Sequence, residues 1–508
     1  MNHPFRDPTV NAESLPTEAR VGVEQGPSAA SWLRTPVPLW IYALCWVALL
    51  PVILGENPGL AILGGVIASL LPMILWRHGE VPTLLWVCLW QLGQAFIPVL
   101  QAELAGVSLG RYAGGEEFES AAQLSLLGVF CFAGGAALAA RWVAPARQTP
   151  QWSELRALLP KRLVFVWLVL SLSLVTVSTL LQGSGILQIV QPLLYIYLGA
   201  ILLLFQYVLF TQQQWIWAWF ALGTEIVMGF LGYFGGFKTV IFLFVLASVT
   251  FADRRRKVWA QVAAMLLLAV GLGNFWQAIK SDYRRFVGGG EEGQVVNVSL
   301  SERLGYLQNA LDAMSWETYR ETMDSTLERI GYITYFGHCL RNVPAGVPHS
   351  DGRLWREAVA HVFMPRILFP NKQEFNDSDR TNEFTGVSVA DVTQGTSIGI
   401  GYVGESYVDF GVPGMFVPIF MFGVAVGAGY GLLVRLAPNP LIGAAFGTAM
   451  LMRSGFLLES SNAKMLGGLV ITVGVYVVVL KLFGKPLMRW ISVSPALVTT
   501  SETHRPLR

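Results

Sequence analysis

The chain has 508 residues, 53% of them hydrophobic and 13% charged, with a formal net charge of +2. Soluble domains carry about 25% charged residues, so this composition, with a mean hydropathy of +0.51, excludes an ordinary soluble globular protein. The near-neutral balance gives no footing for a nucleic-acid partner, and a chain solvated mainly by lipid is expected.

Residues 1–37 are polar and rich in Pro, Gly and Ser, without an apolar core, and read as a disordered tail and not a cleavable signal. Nine apolar runs fill residues 38–276, near 38–54, 57–76, 81–100, 120–140, 161–181, 186–210, 214–232, 236–252 and 258–276. A run of about 17–25 apolar residues crosses a bilayer core. A polar stretch, residues 277–400, follows. Residues 401–485 then hold a broken helix and three more runs, near 412–434, 440–458 and 465–483, and residues 486–508 form a second polar tail. The predicted fold is an all-α polytopic membrane protein of about 12 spans, with one large helical loop between spans 9 and 10.

Short loops rich in Lys and Arg stay in the cytoplasm. Arg254, Arg255, Arg256 and Lys257 fix the loop after the eighth run there, and alternation places both termini inside and the long loop outside. Within that loop, Leu304, Leu307, Leu311 and Met314 recur at helical spacing, a second helix covers about Thr318 to Arg341, and a third starts at Asp351 as N-cap and ends before Pro365. On the third, Arg353, Glu357 and His361 share one stripe, a solvated face or one lining a substrate groove.

Ionisable groups inside spans are costly and mark candidate sites. They are few: Glu225, Lys238, Arg453 and, at a span edge, Glu459, with Glu405 and Asp409 just before the tenth span. All six fall toward the outer side. Interhelical pairing of Glu225 with Lys238 and of Arg453 with Glu459 is the alternative to a functional role. Glu405 and Asp409 lie four apart on one helical face, and Gly411, Pro413 and Gly414 break the chain beyond them. A broken helix at membrane depth is tolerated where it lines a water-filled cavity. Carboxylates there can take a proton from a sugar hydroxyl, and arginines can hold a phosphate leaving group.

Several signals carry little. Asp377-Ser378-Asp379 has the form of a metal–nucleotide DxD, but short acidic pairs are common in polar loops; the histidines lack zinc spacing, and no phosphate-binding Gly-Lys-Ser/Thr loop is present.

The order of elements is informative. Gly235-Gly236-Phe237-Lys238 opens a late span, and the outer loop carries Arg329. Pro365, Arg366, Pro370 and Lys372 follow, and Gly-Glu-Ser-Tyr-Val-Asp-Phe-Gly-x-x-Gly runs into a span. Over about residues 220 to 460 this resembles the O-antigen polymerase family, the Wzy-type oligosaccharide repeat-unit polymerases. Lys238 stands where the family leads one to expect arginine, keeping charge but losing bidentate geometry.

The resemblance implies a GT-C-like helical fold and glycosyl transfer without metal or other cofactor, on the periplasmic face of a bacterial inner membrane. The implied substrate is a polyprenyl-pyrophosphate-linked oligosaccharide in the bilayer, with a flippase and a chain-length regulator as further partners. In that scheme Lys238, Arg284, Arg285, Arg329 and Arg366 bind pyrophosphate, with Lys372 and Arg453 as further contacts. Glu405 or Asp409 is the general base, ahead of Glu357 or His361; Trp316, Tyr319, Trp355 and Tyr407 offer rings to sugars. An O-antigen-type ligase, a transporter or flippase of lipid-linked sugars, and a non-catalytic assembly partner are the rival readings.

Overall fold

The computed structural model describes residues 37–77, 79–144, 152–181, 184–232, 235–252, 257–288, 297–364, 369, 376–389 and 397–493. Arg366 and Lys372, the basic run Arg254–Arg256 and residues 1–36 lie outside the described residues. The described chain is all-α. Its first half runs α1 (Leu39–Leu54), α2 (Pro58–Leu75), α3 (Thr83–Leu104), α4 (Leu109–Ala113), α5 (Glu117–Val143), α6 (Trp152–Ala157), α7 (Pro160–Leu180), α8 (Leu187–Leu194), α9 (Ile196–Thr211), α10 (Trp215–Leu231), α11 (Lys238–Val249) and α12 (Val258–Val287). The polar segment supplies α13 (Leu300–Asp312), α14 (Trp316–Ile330), α15 (Thr334–Asn342), α16 (Arg353–Val362) and α17 (Asp377–Thr385). The last part holds α18 (Gly401–Gly414), α19 (Phe416–Leu436), α20 (Pro440–Ser454) and α21 (Asn462–Ile491).

Among the described residues, eight helical segments are long and apolar enough to cross a membrane: α2, α3, α5, α7, α8 with α9, α12, α19 and α21. Three shorter apolar helices, α1, α10 and α11, accompany them. The chain is a helical, membrane-embedded protein.

Two apolar runs differ from the hydropathy pattern. The run near 186–210 is divided at Tyr195 into α8 and α9. The ninth does not stop at residue 276: α12 continues to Val287, because Ile279, Tyr283 and Val287, four apart, bury against neighbouring helices. The polar segment therefore begins about three helical turns later than composition suggests.

Close helix approach sets the centre. Gly423, Gly427 and Gly431 repeat every four residues on α19 and meet the backbone of α5 at Phe132, Ala136 and Ala140. A Cβ built on Gly427 would overlap the Ala136 carbonyl. Small residues at this spacing let helix backbones touch, which in lipid replaces the missing hydrophobic drive.

Buried polar groups stitch the remaining helices to this pair. Pro98 has no N–H, so α3 leaves the Gln94 carbonyl free, and Tyr332 N–H donates to it at 2.9 Å. That bond divides the helix expected over 318–341 into α14 and α15. Thr83 and Thr448 share a hydroxyl hydrogen bond of 2.7 Å between α3 and α20.

Helix α18 breaks at Gly411 (φ 59°, ψ −166°) and Val412. The freed Val408 carbonyl accepts from Ser350 N–H at 2.9 Å and sits 3.2 Å from His349 Nδ1. The adjoining helix α16 is not capped by Asp351. Its N-cap is Gly352 (φ 80°), and the cap side chain comes from α18: Asp409 accepts from Leu354 N–H at 3.0 Å and Trp355 N–H at 2.8 Å.

Candidate functional site

A cavity of about 500 Å³ lies between α3, α11, α12, α14 and the segment after α20. One part of its wall is apolar, with Trp86, Trp90, Phe242, Leu266 and Val270. The other carries Lys238, Arg329, Gln94, Gln277, Thr326 and Glu459. Lys238 is the first residue of α11 and Arg329 sits in the last turn of α14. Gly235 makes this entry to α11 possible: its φ is +63°, and a Cβ there would collide with the Trp276 indole.

Lys280, on the extension of α12, is electrostatically coupled to Arg329, Arg284 and Lys238, and its ammonium donates to Gln277 Oε1 at 2.6 Å. Lys238 and Arg329 are thus the cations on the cavity wall, and Lys280 lies close enough to feel their charge and that of Arg284, though neither Lys280 nor Arg284 lines the cavity. Among the described residues, neither Lys238 nor Arg329 makes an ion pair. Arg285 does not join them; it is exposed beside Asp282 at 3.8 Å, a surface pair.

Glu459 is the carboxylate on this wall. Two glutamines three apart on α3 hold its segment in place. Gln91 Nε2 donates to Phe456 O at 2.9 Å, Gln94 Oε1 accepts from Leu458 N–H at 2.9 Å, and Gln94 Nε2 donates to Glu459 Oε2 at 3.0 Å. Burial pushes the Glu459 carboxyl above the usual carboxylate range, against the pull of the Gln94 hydrogen bond and the Arg329 charge.

The two carboxylates of α18 face elsewhere. Glu405, 1% exposed, accepts from Asn462 N–H at 2.8 Å and lies 3.4 Å from Arg380 Nη1. Arg380 on α17 also reaches Glu357 on α16 at 2.5 Å, so one guanidinium bridges three helices. Burial lifts the Glu405 carboxyl to about 7, with Arg380 and the Asn462 N–H opposing. Asp409, also 1% exposed, gives both oxygens to the α16 N-terminus. An anion there satisfies orphan N–H groups and complements the helix dipole.

The other sequence candidates scatter. His361 and Arg453 line a second cavity. Arg453 donates to Thr472 and Gln191, Glu225 accepts from Trp167, and neither Glu225–Lys238 nor Arg453–Glu459 is a pair. The Tyr407 hydroxyl donates to Val343 O at 2.8 Å inside the core, and Trp355 Nε1 donates to Ser406 at 3.1 Å. Trp316 and Tyr319 stack at 5.7 Å on α14, with Trp316 exposed. Asp377 of the DxD pattern is 2.5 Å from Lys464 Nζ.

Arg380 and Lys280 carry no motif that singles them out in the sequence. For Glu459 a signal existed: Gln91 and Gln94 are expensive inside an apolar helix unless they bind something, and what they bind is its segment.

Fold and cavity together define a membrane-embedded helical protein with an amphipathic, cation-rich chamber. A family described as a domain of unknown function, DUF8712, matches residues 121–458, and the chain belongs to it. The match spans α5 to α20 and includes Lys238, Arg329, Glu405 and Asp409. No curated protein and no solved structure matches the chain.

Proposed function

We propose that this protein polymerises polyprenyl-pyrophosphate-linked oligosaccharide repeat units, as in O-antigen, capsule or exopolysaccharide synthesis, at the periplasmic face of a bacterial inner membrane. The observation that carries this reading is the two-sided cavity: an apolar wall suited to an isoprenoid chain, and a polar wall with Lys238 and Arg329, whose charge reaches Lys280 beside it. Pyrophosphate gains negative charge as it leaves, and fixed cations aimed at that charge lower the barrier.

The reaction joins two sugars. A hydroxyl oxygen of the acceptor repeat unit attacks the anomeric carbon of the donor glycan, the bond from that carbon to pyrophosphate breaks, and polyprenyl pyrophosphate departs to the cations. The hydroxyl proton goes to a carboxylate. Glu459 is the best placed, since it shares the cavity wall with Lys238 and Arg329. Its raised affinity for a proton brings it nearer the optimum for a base at neutral pH. Glu405 and Asp409 then serve as structural groups that tie α18 to α16, α17 and the start of α21.

In this scheme the eight long segments, α1, α10, α11 and α20 make twelve spans of a GT-C-like bundle. The termini are cytoplasmic and α13 to α17 lie in the periplasm. A flippase delivering substrate and a chain-length regulator are the expected partners.

The test is incubation of the purified protein with a synthetic polyprenyl-pyrophosphate repeat unit. Ladders of longer glycan are expected from the wild type. Gly273→Leu fills the cavity beside Lys238, whose Cε would lie 3.7 Å from the new Cβ, and is expected to remove them. Transport of the lipid without a new glycosidic bond would overturn the reading in favour of a flippase. Transfer only onto a lipid A-type acceptor would identify a ligase.

A further inference from the structure

A second cavity, of about 400 Å³, lies between α8, α16 and α21 and shares no lining residue with the first. Its wall carries Arg453, Lys464 and His361, and no carboxylate among the described residues that line it. Arg453 is fixed from two sides: Nη1 donates to Thr472 Oγ1 at 2.7 Å and Nη2 to Gln191 Oε1 at 3.2 Å. The Tyr195 ring lies 5.7 Å from the guanidinium carbon. These contacts orient the side chain and leave its buried Nε–H without a partner among the described residues. A buried donor on a fixed cation is costly to leave unsatisfied, and an anion relieves that cost. Lys464 offers a further donor: among the described residues, Asp377 and Ser397 take two of its three N–H groups.

The rest of the wall is apolar, with Leu187, Val362, Met364, Ala463 and Ile471. Helices α8 and α21 also expose Ile189 and Val470 on the outside of the bundle, so the apolar side of the cavity adjoins surface suited to hydrocarbon. The site therefore combines a small cationic end with an apolar side. Its net positive charge is small: Lys464 is already paired with Asp377, which leaves Arg453 as the cation without a carboxylate partner among the described residues. That matches a singly charged phosphodiester, whereas a pyrophosphate would call for a denser group such as Lys238 and Arg329 on the wall of the first cavity.

We propose that this cavity binds an anionic bilayer phospholipid, its phosphodiester between Arg453 and Lys464 and an acyl chain along Leu187 and Ile471. The site is separate from the polymerisation chamber and does not depend on that reading.

The test is native mass spectrometry of the full-length protein released from nanodiscs of phosphatidylglycerol and phosphatidylcholine, with polyprenyl phosphate as competitor. Both lipids present the phosphodiester, but only phosphatidylcholine sets a quaternary ammonium against Arg453 and Lys464, so the wild type is expected to retain phosphatidylglycerol over phosphatidylcholine by about tenfold. Arg453→Gln and Gly467→Leu are expected to lose that preference. The leucine enters open space, since a Cβ at Gly467 meets nothing within 4 Å, so it blocks the cavity without disturbing Arg453. Gly273→Leu, which fills the other chamber, is expected to keep it. Equal retention of the two phospholipids, undiminished retention by Gly467→Leu, or displacement by polyprenyl phosphate would each overturn the assignment. Absence of polymer from the wild type with lipid retention intact would instead count against the polymerisation reading alone.

Discussion

Asp409 separates a structural carboxylate from a catalytic one. Its oxygens accept from Leu354 N–H at 3.0 Å and Trp355 N–H at 2.8 Å, and the side chain is 1% exposed. Asp409→Asn keeps the shape but leaves one acceptor oxygen for two N–H groups and removes the charge. Hydrogen bonds to charged groups contribute about 1.5–3 kcal/mol each and neutral ones about 0.5–1.5. Exchanging two of the first for one of the second predicts a loss of about 1.5–5.5 kcal/mol. Helix-cap substitutions are measured at about 0.5–2 kcal/mol, so the lower end, about 2 kcal/mol, is the working figure. Asp409→Ala strands the buried Leu354 N–H as well and is expected to cost about 1 kcal/mol more.

The assay pairs thermal unfolding in detergent with the glycan ladder. As a cap, Asp409→Asn lowers the unfolding midpoint and reduces polymer only modestly, because α16 shifts with its Glu357–Arg380 contact. A general base would behave oppositely, since its loss costs about 10²–10⁴-fold in rate with stability untouched. An Asp409→Asn protein as stable as wild type yet devoid of polymer would refute the capping role and return Asp409 to the chemistry.

Three other perturbations test neighbouring parts. The Glu405 carboxyl is raised from 4.5 to about 7 in the folded protein. The folded state then holds this proton more tightly than the unfolded chain, so stability is greatest below about pH 4.5 and falls as pH rises through 7, by about 3 kcal/mol. In Glu405→Gln that slope disappears; a slope equal to wild type in unfolding midpoints from pH 5 to 7.5 would assign it to another group. Lys238→Gln and Arg329→Gln should each slow polymerisation by about 10²-fold, while Lys238→Arg retains it, since stabilisation of leaving-group charge depends on the cation; unchanged initial rates in both glutamine variants would remove the cluster from the site. Gly427→Leu forces α5 and α19 apart, and overpacking of this kind costs about 1–3 kcal/mol or more, to be read as a lower yield of folded protein and a lower unfolding midpoint than for Gly467→Leu.

Hydropathy made the bundle legible because lipid exposure imposes a strong and local signal: each apolar run corresponds to a helix or a helix pair. What failed locally failed for long-range reasons. The α12 extension through Lys280 looked polar because only Ile279, Tyr283 and Val287 face the core. The break between α14 and α15 depends on a carbonyl that Pro98 frees more than 200 residues earlier. The side chain that caps α16 comes from α18, 55 residues on from Leu354, and no local pattern near Asp351 announces it.

The same distinction governs the carboxylates. Spacing correctly places Glu405 and Asp409 on one helical turn, but spacing says nothing about what that turn meets. Here it meets Arg380, the first N–H groups of α16 and the start of α21, all of which occupy the oxygens. Glu459 has no such neighbours in sequence and would pass as a span-edge residue. Its significance comes from Gln91 and Gln94, whose side-chain amides spend their bonding capacity on residues 456–459 and so turn one carboxylate toward Lys238 and Arg329. If that is the purpose of the two glutamines, Gln94→Leu should leave the bundle folded and lower the polymerisation rate about as far as Glu459→Gln does. If Gln94→Leu works at the wild-type rate, Glu459 needs no positioning and its place on the wall is incidental.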